Sequence, residues 1–317
     1  MAHYLVTGGA GFIGSYLVRH LLAGGETVRV LDNFSTGKRD NLKEIDGRFE
    51  LLEGDLCDLE TVEQAVDGIE YVLHQAAIPS VPRSVQEPLE SHTSNATGTL
   101  TLLEAARSAD VRRLVYASSS SVYGANEALP KQESMRTEPL SPYAVAKLAA
   151  EHYCLIAYPL YGLETVALRY FNVFGPRQDP SSPYSGVVSC FIEAIRSGKS
   201  PVIHGDGKQT RDFTYVENVA EANMVACHSK SGVGRAYNVG IGGRVSINQL
   251  WKTMAGLVGV ETEAVHTDPR AGDVPHSQAD ITQAKEMLEY LPQIDFEEGL
   301  RRTLSYYGVI QGMGKED

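Results

Sequence analysis

Short apolar runs and amphipathic stretches alternate along the first 170 residues, separated by turn-forming clusters. The apolar runs predict buried strands at residues 4–6, 28–31, 49–53, 71–75, 113–117 and 165–169. Apolar positions at helical spacing predict helices over 12–23, 59–66, 90–109 and 143–161. Strands that each follow a helix pair in parallel, so the pattern predicts an α/β fold: a Rossmann-type doubly wound parallel sheet. Beyond about residue 170 the rhythm breaks. A Gly-, Pro-, Ser- and Asp-rich stretch (174–186) leads to a helix near 187–196, a strand at 201–204 and a helix over 212–229. A strand at 237–239 and a helix at 247–257 follow. Residues 1–171 with about 212–240 are expected to form the large domain. About 172–211 and 241–317 are expected to form a smaller, discontinuous α/β substrate domain.

The first strand runs into Gly8, Gly11 and Gly14, then a helix, then a second strand that ends in Asp32. Glycines at this spacing allow a sharp turn, bring backbone N–H groups (those of Phe12 and Ile13 included) against a pyrophosphate, and seat the helix on the sheet. Asp32, eighteen residues past Gly14, can accept hydrogen bonds from a ribose 2′-hydroxyl and repels a 2′-phosphate. A glycine-rich turn in a ligand-free sheet does not explain an acid there. The unit therefore points to NAD rather than NADP. Asn33, Ser35 and Gly37 lie in a loop beside the adenosine half, Asp55 and Leu56 can flank the adenine, and Gln75, Ala76 and Ala77 follow the fourth strand. All these turns follow strand C-termini, where open α/β sheets bind ligands.

The chain has 317 residues, 43% hydrophobic and 21% charged, with a net charge of −12. That balance excludes a nucleic-acid backbone as the main partner. No apolar run is long enough to span a bilayer, and no leader pattern opens the chain, so a cytoplasmic protein is expected. Cys57, Cys154, Cys190 and Cys227 show no metal spacing and are expected to be buried, inert thiols. The histidines show no metal pairing either, so no metal is expected.

Tyr143 and Lys147, four apart on one helical face, form the second constellation. A phenol is a poor base at neutral pH, but a nearby ammonium and a positive nicotinamide favour phenolate. A Tyr–Lys pair alone is ordinary helix surface; its place after a dinucleotide turn and the serine-rich strand end 116–124 makes it catalytic. A hydroxyl from that strand end can hold a substrate oxygen while its proton moves to Tyr143.

These three features resemble the extended short-chain dehydrogenase/reductases, and the resemblance continues through Arg169-Tyr170-Phe171-Asn172-Val173-Phe174-Gly175-Pro176-Arg177, Arg211-Asp212-Phe213 and Arg270-Ala271-Gly272-Asp273. Within them the chain looks most like the UDP-hexose 4-epimerases. The resemblance implies Tyr143 as base, Lys147 as its tuner and a ribose contact, and Ser119 on the hexose 4-oxygen, with Ser121 as a secondary contact. It places Asn95, Ser118, Tyr170 and Val173 at the cofactor, and Ser80, Arg83, Val187 and Asp273 at the substrate. Asn172, Arg211 and Arg270 would grip the UDP diphosphate and uridine, with Val202 and His204 near the uracil. A homodimer through the helices 90–109 and 143–161 is a further implication.

Related dehydratases carry an Asp–Glu pair after the catalytic hydroxyl, where Ser120 and Ser121 stand here. UDP-glucuronate decarboxylases carry a glutamate at the place of Ser121. Both routes are disfavoured. Epimerases restricted to plain hexoses resemble this chain but have a bulky tyrosine where Ser277 stands, so a small residue leaves room for a 2-acetamido group. The expected activity is NAD-dependent 4-epimerisation of UDP-GlcNAc and UDP-GalNAc, with UDP-Glc and UDP-Gal accepted too. Alternatives are Ser277 as a plain turn residue, a UDP-galactose or UDP-glucuronate 4-epimerase, a net reductase, or a catalytically silent NAD-binding regulator.

Overall fold

The computed structural model describes residues 3–179, 186–269 and 274–310. The chain opens with β1 (His3–Thr7), α1 (Phe12–Ala23), β2 (Thr27–Asp32), β3 (Glu50–Glu53), α2 (Leu59–Val66) and β4 (Tyr71–His74). Next come α3 (Val81–Gln86), α4 (Pro88–His92), α5 (Gly98–Ser108), β5 (Arg113–Ser119), α6 (Pro142–Tyr161) and β6 (Glu164–Tyr170). The second part holds β7 (Val173–Phe174), α7 (Val187–Ser197), β8 (Val202–His204), β9 (Thr210–Arg211), β10 (Thr214–Tyr215), α8 (Val216–His228) and β11 (Arg235–Val239). Finally come β12 (Val245–Ser246), α9 (Ile247–Val258), β13 (Val265–Thr267), α10 (Thr282–Leu288) and α11 (Phe296–Tyr306).

Seven strands form one sheet in the order β3-β2-β1-β4-β5-β6-β11, with every pairing parallel. The central strands are apolar almost without alternation because helices cover both faces. Leu17 and Leu21 of α1 pack with Val219 and Ala226 of α8 and Leu288 of α10 on one face. Val62 of α2, Leu102 and Ala106 of α5, and Ala150 and Cys154 of α6 fill the other. A separate core of Phe174, Phe191, Trp251, Met254 and Leu304 holds the later elements together. Among the described residues, no helix is long and apolar enough to cross a membrane.

Two expected helices are altered, each for a local reason. The stretch expected as one helix over 90–109 is α4, a π-helical turn at Thr93–Thr97, and α5. Inside that turn the Asn95 side chain pairs with the Ile78 backbone in both directions, N to Oδ1 at 2.8 Å and Nδ2 to O at 3.3 Å. The helix expected from 212 starts at Val216, because Thr214–Tyr215 pair with Val173–Phe174 and the Asp212 carboxylate serves as an acceptor for other backbone. Of the thiols, Cys154 and Cys227 are buried as expected, whereas Cys57 and Cys190 are exposed.

The β1–α1 turn depends on two glycines. Gly8 sits at φ +68°, and a Cβ there would lie 2.7 Å from the Ala76 backbone. A Cβ on Gly14 would fall 2.1 Å from the Gly8 carbonyl oxygen. Gly14→Ala is therefore expected to cost about 2 kcal/mol or more, a Tm loss of roughly 4 °C. It should also cancel the thermal shift that added NAD gives the parent; thermal unfolding with and without NAD checks both.

Candidate active site

Strand order reverses between β1 and β4, so their connections leave on opposite faces and open a cleft at the strand C-termini. A cavity of about 1060 Å³ occupies it. At one end it is lined by Gly8, Gly11, Phe12, Ile13, Gly14, Asp32, Asn33, Ser35, Gly37, Asp55 and Leu56. Both Asp32 oxygens accept backbone N–H groups, Oδ2 from Ala10 and Oδ1 from Phe34, each at 2.8 Å. Burial nevertheless raises the carboxyl above its usual range, against those two donors. Asn33 donates to Asp55 Oδ2 at 2.7 Å, which ties the two loops together. The close turn at Gly8 and Gly14 and the carboxylate at the end of β2 fit an NAD adenosine and diphosphate.

Gln75, Ala76 and Ala77 line the middle of the cavity. Their backbone is fixed from behind by a buried chain. His74 Nδ1 lies 2.7 Å from Thr7 Oγ1 and Nε2 lies 2.9 Å from Thr99 Oγ1. Since the Thr99 hydroxyl donates to Asn95 O at 2.7 Å, it can only accept from His74, which sets the neutral Nε2–H tautomer. Burial pushes the His74 imidazole down to about 3, with the Lys147 charge acting the same way. Asn95, expected at the cofactor, does not line the cavity; it holds the Ile78 backbone instead. Tyr170 does line it, with its phenol donating to Gln75 Oε1 at 3.3 Å and accepting from Asn223 Nδ2 at 2.8 Å.

Ser118, Ser119, Ser121 and Tyr143 meet on the wall beyond. Ser141 caps α6, its Oγ accepting Ala144 N–H at 3.2 Å, and Pro142 occupies the first helical position. That cap sets Tyr143 in the first turn, beside the end of β5. Desolvation raises the Tyr143 phenol, and the Ser119 hydroxyl pulls it back. Lys147 lies one layer behind the wall, its Nζ donating to Ala117 O at 2.9 Å and standing 5.0 Å over the Tyr116 ring. Burial lowers this amine to about 8. In this geometry the side chain acting directly on the phenol is Ser119, while the lysine supports the wall from beneath.

Asn172 (φ +25°), Val173, Arg211 and Ser277 line the far side, and Ser80 and Arg83 line the edge near α3. The guanidinium of Arg83 is committed to Glu90, at 2.7 and 3.1 Å. Arg211 donates to Thr210 O and Pro275 O at 2.9 and 3.2 Å. Ser277 is set by its N–H on Thr210 O at 3.0 Å. Val187, Val202 and His204 do not line the cavity, and Arg270 and Asp273 lie outside the described residues. Spacing did not single out Lys38, Gln178 and Asp179, which join the lining. Lys38 and Asp179 pair at 2.5 Å across the cavity mouth, although 141 positions separate them.

A model of the NAD dependent epimerase/dehydratase family matches residues 4–240. The chain belongs to that family. It is 41% identical over 307 residues to the UDP-glucose 4-epimerase of Mycolicibacterium smegmatis, covering 96% of this chain and 97% of that one. Among solved structures, the UDP-N-acetylglucosamine 4-epimerase of Methanobrevibacter ruminantium M1, in complex with UDP-N-acetylmuramic acid, superposes with a TM-score of 0.92 at 40% identity, covering 96% and 98%. The UDP-glucose 4-epimerase of Thermotoga maritima, with UDP-glucose, gives 0.92 at 39%, with the same coverage. The expected family and parallel sheet are thus borne out, and NAD is the family's cofactor.

Asp212, beside Arg211, accepts from Ile241 N (3.1 Å), Gly242 N (3.0 Å) and Ala279 N (3.1 Å), drawing the Ser277 segment against the sheet end. Burial raises its carboxyl to about 6 despite those donors. A raised folded-state midpoint means the protonated form is favoured by folding. The stability this contributes is complete below the ordinary aspartate value and is lost as pH rises through about 6. Between about pH 5 and pH 7.5 the parent should lose about 1 kcal/mol relative to Asp212→Asn, as read from denaturant unfolding of both proteins.

Proposed function

We propose that the chain is a UDP-sugar 4-epimerase using NAD, with UDP-GlcNAc and UDP-GalNAc as its preferred pair and UDP-Glc and UDP-Gal also accepted. The observation that carries the reading is the meeting of Ser119 and Tyr143 on one wall of a cavity whose other end is the glycine turn and Asp32. Ser121 directs both its N–H (3.2 Å) and its O–H (2.9 Å) at Ser119 Oγ. With both lone pairs engaged, the Ser119 hydrogen is free to donate to a sugar 4-oxygen or to the phenolate. Tyr143 then takes the 4-hydroxyl proton and later returns it, so no net proton is consumed. NAD, held at the Gly8–Gly11–Gly14 turn and Asp32, would supply reversible hydride chemistry at C4. The 4-keto sugar turns about its diphosphate tether between the two halves, so the opposite face is reduced. Arg211 and Asn172 on the far wall, with Arg270 from the resemblance, would hold the tether while the sugar turns.

Ser277 supports the acetamido reading, since it is a small side chain on the lining. Tyr143→Phe should cut turnover by about a thousandfold while NAD still copurifies, since general base catalysis is worth about 10²–10⁴. Ser277→Tyr should spare UDP-Glc and suppress UDP-GlcNAc at least tenfold; anomeric NMR signals report both. Equal loss on the two sugars would leave Ser277 as a turn residue, and turnover of UDP-GlcA alone would favour a glucuronate epimerase.

A homodimer fits the outer face of α6. Val145, Tyr153, Ile156 and Leu160 form an exposed apolar stripe at helical spacing, with Leu89 of α4, 82% exposed, on the same flank. Leu160→Glu with Ile156→Glu should convert a dimer to a monomer in sedimentation velocity; an unchanged sedimentation coefficient would remove this face as the contact.

A further inference from the structure

One buried acid in α6 has no part in the proton chemistry above. Glu151 is fully buried, four residues after Lys147 and eight after Tyr143, hence on the same helical face. Its Oε2 accepts the Ser118 hydroxyl at 2.6 Å. Arg169 of β6 holds the same carboxylate in a fork, Nη2 to Oε1 at 2.6 Å and Nε to Oε2 at 3.0 Å. The other Arg169 nitrogen, Nη1, donates to Tyr123 Oη at 2.9 Å, and that phenol donates to Asn238 Oδ1 at 2.7 Å. One carboxylate thus joins the helix carrying Tyr143 to the strand end carrying Ser119, and the strand beside it.

We infer that Glu151 is a positioning residue for the reaction: through Ser118 it holds the Ser119 hydroxyl at its working distance from the Tyr143 phenol. The inference rests on the epimerase reading for its consequence and on the geometry alone for its cause. A fully buried ion pair is a costly way to secure packing, since apolar side chains of equal volume do that as well. It does provide fixed direction. The Arg169 fork leaves the carboxylate a single orientation, and Ser118 is tied to it next to the hydroxyl that must meet the phenol. Geometry of this kind is worth orders of magnitude in rate when it sets a reacting distance.

Ser118→Ala tests the link while leaving the Glu151–Arg169 pair intact. It is compared, as NAD-loaded protein, with the parent, with Glu151→Gln, and with each in a Tyr143→Phe background. Two quantities are read: the pH midpoint of Tyr143, as the tyrosinate absorbance lost on Tyr143→Phe, and the split of kcat from KM for UDP-GlcNAc and UDP-Glc. The Ser118→Ala midpoint should rise by about half a unit because Ser119 no longer lowers it fully, with kcat falling about tenfold and KM moving less than twofold. Glu151→Gln should shift the midpoint the same way and lower Tm as well, because Arg169 is left unpaired. An unmoved midpoint and unmoved kcat in Ser118→Ala, whatever Glu151→Gln does to Tm, would overturn the inference and leave the pair a purely structural one. A moved midpoint in a protein whose parent turns over no UDP-hexose would uphold the positioning and reject the epimerase reading.

Discussion

Parting of the chain between β1 and β4 is the constraint from which the site follows. A parallel strand must be followed by a crossover, and crossovers keep one hand, so a sheet grown outward from its middle sends neighbouring connections to opposite faces. Here α1 leaves one way and the α3–α5 segment the other, and the cavity opens just past the two strands, where Gly8 and Gln75 line it. The cleft is a geometric remainder. What lies in it is decided by which residues end the strands: Thr7 and the glycine turn after β1, Asp32 on β2, Gln75 after β4, Ser119 on β5 and Asn172 after β6.

Polar groups in the cleft and just behind its wall are already committed before any ligand arrives, and that commitment gives the remaining ones direction. Asp32 carries two backbone donors and His74 is locked between two threonine hydroxyls. Ser119 receives two hydrogen bonds from Ser121, and Asp212 receives three from the backbone. Each bond removes a degree of freedom that would otherwise have to be lost during the reaction. Stabilising a transition state with such fixed dipoles costs no reorganisation at the moment of need. The cap at Ser141 belongs to the same scheme, because a frayed first turn would free Tyr143.

Features set by local spacing were readable from the chain, and features set by tertiary partners were not. The β1–α1–β2 unit with Asp32, and the Tyr143–Lys147 pair, live within single elements whose period the sequence displays. The serine-rich strand end was legible as well, but Ser118–Ser121 look alike in the pattern, and the family resemblance singled out Ser119. Asn95 was expected at the cofactor, and the π turn that points it at Ile78 leaves no mark in apolar periodicity. The helix start at 216 was misplaced for a similar reason: residues 212–215 run without a break into the helical stretch, but long-range partners claim the Thr214–Tyr215 backbone and the Asp212 side chain. Glu151 looks like any polar residue one turn past a lysine until the sheet brings Arg169 beneath it. The Lys38–Asp179 pair carries no sequence signal at all.

The charge balance of the cleft bears on how an acidic protein takes a doubly anionic tether. A net charge of −12 repels such a ligand at long range, yet at 0.15 M salt that field fades within about 8 Å. Binding then depends on cations inside the cavity, and their state matters more than their number. Arg83 is neutralised by Glu90, and Lys38 by Asp179, so neither offers a whole charge. Arg211 donates to the Thr210 and Pro275 carbonyls among its contacts, which fixes its guanidinium at the cavity wall. Asp212, its neighbour in sequence, is fully buried. Its three backbone donors point the carboxylate inward to the Ile241–Gly242 turn and Ala279, away from the arginine's side of the strand. The arginine can thus face the cavity while its neighbour's charge is spent within the fold.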